Sequence, residues 1–125
     1  MLVGLIWVIQ VVAYPQFLRV RKDGFADYHL AHCWRIGLLI GPLLFVEAVT
    51  ALWLLLHGQR GVAFQISLGL IVGNWLSTAI FQAPAHMKLM SGFDVAVIRR
   101  LIFTNWLRTL AWTTRGILLA LMVIR

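Results

Sequence analysis

Four apolar runs, each close to 20 residues long, crowd a chain of only 125 residues. They lie at about 2–20, 34–56, 62–81 and 102–124. A helix needs about 20 apolar residues to cross the hydrocarbon core of a bilayer. Lipid offers no partner to a free amide, so such runs close their own hydrogen bonds as helices. The first run is broken by Gln10, Pro15 and Arg19, and Pro15 is expected to kink it. The second carries one mid-span charge, Glu47, and the third carries none. The fourth contains Arg108 and Arg115. The expected fold is all-α: an integral membrane four-helix up-and-down bundle with a polar interior, forming a single transmembrane domain over residues 1–125.

Composition agrees with lipid as the solvent. Hydrophobic residues make up 62% and charged residues 12%. A soluble domain is nearer half apolar and about a quarter charged. The net charge of +7 invites a nucleic-acid reading, but the charges sit in the wrong places for it. Arg19, Arg21, Lys22, Arg35, Lys88, Arg99, Arg100 and Arg108 lie in or beside two of the interhelix connections. That is a topology signal rather than a nucleic-acid groove. The expected partner is the lipid bilayer, with no nucleic acid. A single cysteine, Cys33, excludes an internal disulfide. No basic segment precedes the first run and no small-residue cleavage site follows it, so no cleaved signal peptide is expected. A true start upstream of Met1 stays open.

The connections alternate in length. Residues 57–61 form a tight link, whereas about 21–33 and 83–100 read as long connections with turn signals at Asp23-Gly24 and Ser91-Gly92. Asp94 is placed to N-cap the helix that enters the fourth span. The two long connections and their flanks hold eight of the eleven Lys and Arg residues. Arg60 and Arg125 fall on the other side, and Arg115 is intramembrane. The long connections are therefore expected to be cytoplasmic, with both termini outside. Trp34 and Trp106 suit an aromatic belt on the cytoplasmic side, and Trp53 suits the other. Gly37 and Gly41, and again Gly69 and Gly73, have the spacing that lets helix backbones approach in lipid.

Polar side chains inside a span are costly and normally face the bundle interior. Here each helix has one such stripe. The third carries Asn74, Thr78, Gln82 and His86. The fourth carries Asn105, Arg108, Thr109, Trp112 and Arg115. Gln10 and Tyr14 lie four apart on the first, and Tyr28, His32 and Arg35 lead into the second with His29 beside them. Depth then gathers Gln10, Tyr14, His29, His32, Arg35, Gln82, His86, Asn105 and Arg108 near one membrane face. Deeper, Glu47 lies about 20 Å past Trp34 along its helix, and Arg115 about 14 Å past Trp106. Neither charge is tolerable alone in hydrocarbon, so a Glu47–Arg115 ion pair is expected, with Asn74 at its side.

The histidines carry the sharpest chemistry. His29 and His32 present to one side of a helix, His86 arrives from the third span, and Gln82 or Tyr14 completes a shell. Imidazoles so gathered suit a metal or haem. Against this, no metal-ligand motif such as HExxH or CxxC is present, and interfacial histidines also serve by hydrogen bonding alone. No nucleophile elbow, P-loop or dinucleotide fingerprint occurs either. Cys33 beside His32 suggests a Cys–His nucleophile, but helical neighbours point about 100° apart.

These residues form a set. Tyr14-Pro15, Tyr28-His29-x-x-His32, Pro42 with Glu47 and Thr50, Asn74-Trp75-x-Ser77-Thr78 and Gln82-x-Pro84-x-His86 are followed by Thr104-Asn105-Trp106-x-Arg108-Thr109-x-x-Trp112-x-x-Arg115. The set resembles a family of small bacterial four-helix integral membrane proteins with no assigned activity. The resemblance covers nearly the whole chain. It implies the architecture, the residue choice and a bacterial inner (cytoplasmic) membrane, but no reaction. A fainter similarity reaches the anthrone-oxygenase-like membrane proteins, with their four-helix plan and Asn-, Arg- and Trp-rich last helix. It implies redox chemistry on a lipophilic substrate. Three readings stand: a membrane-embedded enzyme or cofactor binder, a homo-oligomer or accessory subunit of a larger membrane complex, and a small transporter.

Overall fold

The computed structural model describes residues 1–124, so Arg125 lies outside the described residues. Four helices, each long and apolar enough to cross a membrane, make up the fold, and no strand occurs among the described residues. We label them α1 (Leu2–Arg19), α2 (Lys22–Leu56), α3 (Val62–Leu89) and α4 (Val95–Ile124).

The helices run further than the apolar runs do. The α-helical body of α2 starts at Phe25 rather than near 34, α3 continues past 81 to Leu89, and α4 begins at Val95 rather than 102. The connections expected at about 21–33 and 83–100 shrink to short turns around 20–24 and 90–94. The reason is physical. Hydropathy marks where lipid touches the chain, whereas helical hydrogen bonding persists into the charged turns beyond it. At about 1.5 Å per residue, the 30 residues of α4 span about 45 Å, well over the hydrocarbon thickness of about 30 Å.

The helix ends have local causes. Asp94 Oδ1 accepts from the backbone N–H groups of Ala96 (2.9 Å) and Val97 (3.1 Å), capping α4. At the tight link Gly58 adopts φ +85°, which ends α2 at little steric cost. Its N–H donates to Leu55 O at 3.2 Å and that of Gln59 to Leu54 O at 3.0 Å.

Two helices contain a π-helical segment, Ile9–Ala13 in α1 and Thr78–Gln82 in α3. Each is followed by a proline two residues on, Pro15 and Pro84. Proline withholds an N–H and crowds the preceding turn, and widening that turn relieves both. The widening also settles a register question. Residues four apart drift by about 40° on a regular α-helix, so Asn74 to His86 would spread over about 120°. The π segment takes up that drift, and Asn74 and Gln82 are both buried.

Helix α4 is the hub, packed along α3 and against α1. The long α2 comes nearest the rest beside Ala83–Leu89 and leaves grooves elsewhere. The apolar core, with Phe17, Phe25, Leu89, Ile98 and Leu101, sits at this same end. The glycine stripes are not what brings helices together within the chain: a Cβ at Gly37, Gly41, Gly69 or Gly73 would meet nothing within 4 Å. The close approach is at Gly116, where a Cβ would stand 2.9 Å from Val3 Cγ2.

Candidate metal centre

The polar interior is layered. In the upper layer, beside the core end, the aromatic rings of Phe17 and Phe25 wall in the histidines. His29 stacks on Phe25 at 5.7 Å between ring centroids. Its Nε2 is 2.9 Å from His86 Nδ1. Cys33 Sγ lies 3.7 Å from His29 Nε2 and 3.7 Å from His86 Nδ1. These three side chains each offer a ligand atom, all within 4.8 Å of one another. On the far side of His86, Nε2 is 3.1 Å from Tyr14 Oη.

The triad differs from the trio expected from the sequence. His29 and His86 meet, but Cys33 takes the place assigned to His32. His32 turns its ring edge-on to Phe17, 4.9 Å away, and its Nε2 is buried without a protein partner among the described residues. The cause is helix phase. His29 and Cys33 are four apart and share a face, whereas His32 is one step, about 100°, away from Cys33. Tyr28 and Arg35 are exposed and take no part in the cluster.

Below it lies a hydrogen-bonded layer. Gln10 Oε1 accepts from Asn105 Nδ2 at 2.8 Å, and Gln10 Nε2 donates to the Ile102 carbonyl at 3.1 Å. Gln82 Nε2 donates to Thr104 Oγ1 at 3.0 Å. Arg108, only 4% exposed, donates to Asn105 Oδ1 at 3.3 Å and lies over the Trp112 ring at 4.9 Å. No carboxylate pairs with it among the described residues. Its charge is met by an amide dipole and a π face.

The deepest layer holds the ion pair. Arg115 Nη1 is 2.9 Å from Glu47 Oε1, and Trp112 Nε1 donates to the same carboxylate oxygen at 3.1 Å. Glu47 is thus paired and hydrogen-bonded, which is what a carboxylate deep in a bundle requires. Asn74, expected beside this pair, is buried but bonds to neither partner.

The upper triad has the donor set of a transition-metal centre: two imidazole nitrogens and a thiolate. Tetrahedral zinc with ordinary bond lengths separates its nitrogens by about 3.3 Å and a nitrogen from sulfur by about 3.6 Å. The observed 2.9 and 3.7 Å need only small side-chain shifts. With Nδ1 of His86 as ligand, its Nε2–H donates to Tyr14, the outer hydrogen bond that orients metal-bound histidines. Three protein ligands leave a tetrahedral ion one position open, as in catalytic rather than closed structural sites. Cys33 also lines an apolar groove of about 530 Å³, with Leu30, Trp34, Leu38 and Met90, on the outer face of the bundle. The chain matches no family model, no curated protein and no solved structure.

Proposed function

We propose that this chain is a multi-pass metalloprotein of the bacterial inner membrane, holding a zinc-like ion between His29, Cys33 and His86. The open coordination position then serves a lipophilic molecule entering from the Cys33 groove. The observation that carries this reading is the convergence of three ligand atoms, from α2 and α3, on one point. A haem fits less well. Two ring nitrogens 2.9 Å apart cannot straddle a macrocycle as its axial ligands. The membrane reading rests on the four apolar helices, and the orientation on the basic residues around 20–24 and 90–94. That side is cytoplasmic in this proposal, with both termini outside.

Elemental analysis and cobalt substitution of the purified full-length protein test it. The expected result is about one metal per chain and a thiolate-to-cobalt charge-transfer band. Cys33→Ser should abolish the band, and His86→Ala should lower affinity at least about tenfold. His32→Ala should leave both intact. A folded protein that takes up neither zinc nor cobalt would sink the reading.

A second reading, as a homo-oligomer or a subunit of a larger membrane complex, is favoured by the outward-facing Gly37/Gly41 and Gly69/Gly73 stripes. Native mass spectrometry in mild detergent decides it, since a strictly monomeric protein would count against the homo-oligomer.

A further inference from the structure

Asn74 is 1% exposed, yet neither Oδ1 nor Nδ2 of its carboxamide has a protein partner among the described residues. In a bundle surrounded by lipid this is an expensive arrangement, because no bulk water is at hand to satisfy the amide. The residue lines a cavity of about 270 Å³ with Leu44, Trp75, Thr78, Ala79 and Trp112. Three helices contribute, α2, α3 and α4. The cavity is separate from the metal centre: Asn74 and His86 are 12 positions apart on α3, about 18 Å along its axis.

The walls define what fits. They are apolar and aromatic apart from Asn74 and Thr78, and no charged side chain lines them. The nearest deep charges, Glu47 and Arg115, neutralise each other, and Glu47 at the same time fixes the Trp112 indole that forms one wall. An anionic headgroup would find no cation here. The carboxamide carries a donor and an acceptor side by side at the edge of the cavity, and both reach a ligand once the side chain turns toward it. Thr78 commits its hydroxyl proton to the backbone carbonyl of Asn74 at 2.8 Å, so its oxygen can only accept. A ligand must therefore both accept and donate, with little charge and an apolar body. A single hydroxyl does this with one oxygen. Trp75 and Ala79 are exposed on the outer face of α3, so the cavity adjoins the lipid and a chain can trail into it.

We propose that this cavity binds a neutral, bilayer-soluble alcohol, its hydroxyl paired with the Asn74 carboxamide and its apolar body between Leu44, Trp75 and Trp112. The occupant is a lipid with an uncharged hydroxyl head rather than a phospholipid.

Photolabelling of the full chain in nanodiscs tests this, without added metal, so the outcome does not depend on the centre at His29. The probe is a long-chain alcohol carrying a diazirine next to its hydroxyl end. A diazirine phosphatidylcholine at equal mole fraction is the control. The expected label maps to peptides containing Leu44, residues 74–79 or Trp112, at least tenfold above the control. Asn74→Leu, which keeps the bulk but removes both polar atoms, should lower that label at least tenfold while helicity is unchanged. Ala79→Phe, which fills the cavity from its wall, should do the same and serves if the first variant fails to fold. Label spread evenly over lipid-facing residues overturns the proposal, as does label undiminished in the folded variants. Preferential labelling by the phosphatidylcholine probe also overturns it, in favour of a phospholipid site.

Discussion

At the residue scale the Glu47–Arg115 pair is the most exposed to test. Glu47→Gln keeps an oxygen for the Trp112 indole but removes the charge that balances Arg115. We expect a loss of about 3–5 kcal/mol, as when one partner of a buried pair is deleted. Arg115→Met in the same background should restore much of it, because the lone cation is gone. Unfolding in mixed micelles with increasing SDS measures both. The pair was legible in the sequence, since two opposite charges at similar depth in hydrocarbon leave little alternative. The His29–Cys33–His86 triad was legible only in part. The spacing points to His29 and His86, but in the linear sequence Cys33 stands beside His32, and its true partner His29 lies four residues before it on the same face. Sequence spacing makes Asn74 a satellite of the ion pair, because it gives depth and phase but not which lone pairs remain free.

Among the elements, the π segments make the sharpest prediction. Deleting Ala79 should convert Thr78–Gln82 to a regular α-turn at nearly unchanged phase, since the 11 steps then left between Asn74 and His86 return to within about 20° of one face. Metal uptake should then persist, whereas inserting a second alanine beside Ala79 should turn His86 by about 100° and abolish it while circular dichroism still reports a helical protein. At the start of α4, Asp94→Ala should cost about 1 kcal/mol by loss of the cap, and Asp94→Ser should cost little. Thermal unfolding in detergent compares them. Where α1 meets α4, Gly116→Val should destabilise by about 1–3 kcal/mol, as overpacking does, whereas Gly69→Val should be tolerated in a monomer. Helix number and order could be read from the apolar runs because burial in lipid is a one-dimensional constraint on composition. Helix ends could not, because the extra turns of α2, α3 and α4 are amphipathic and charged. Nor could the working glycine be picked out. Gly116 stands alone opposite Val3, whereas the paired glycines with the familiar spacing face outward.

For the whole molecule, the proposed centre ties occupancy to pH. One nitrogen of each imidazole and the thiol sulfur must be free of protons to bind the ion, so affinity should fall as pH drops, by up to about tenfold per unit for each proton displaced. Competition with a chromophoric chelator at pH 8 and pH 6 measures the slope, and a flat profile would speak against these ligands. The architecture carries one more consequence, which concerns bilayer thickness. The 18 residues of α1 reach about 27 Å, whereas the 35 of α2 reach about 52 Å. The long helix can tilt or protrude, but the short one has no slack. A bilayer thicker than about 30 Å must therefore thin around α1 or pull on it. Gln10 and Tyr14 ride on that helix, one bonded to Asn105 and the other to His86. Acyl-chain length thus acts on the interior through the shortest strut of the bundle. Reconstitution in lipids of increasing chain length should loosen the Tyr14–His86 contact first.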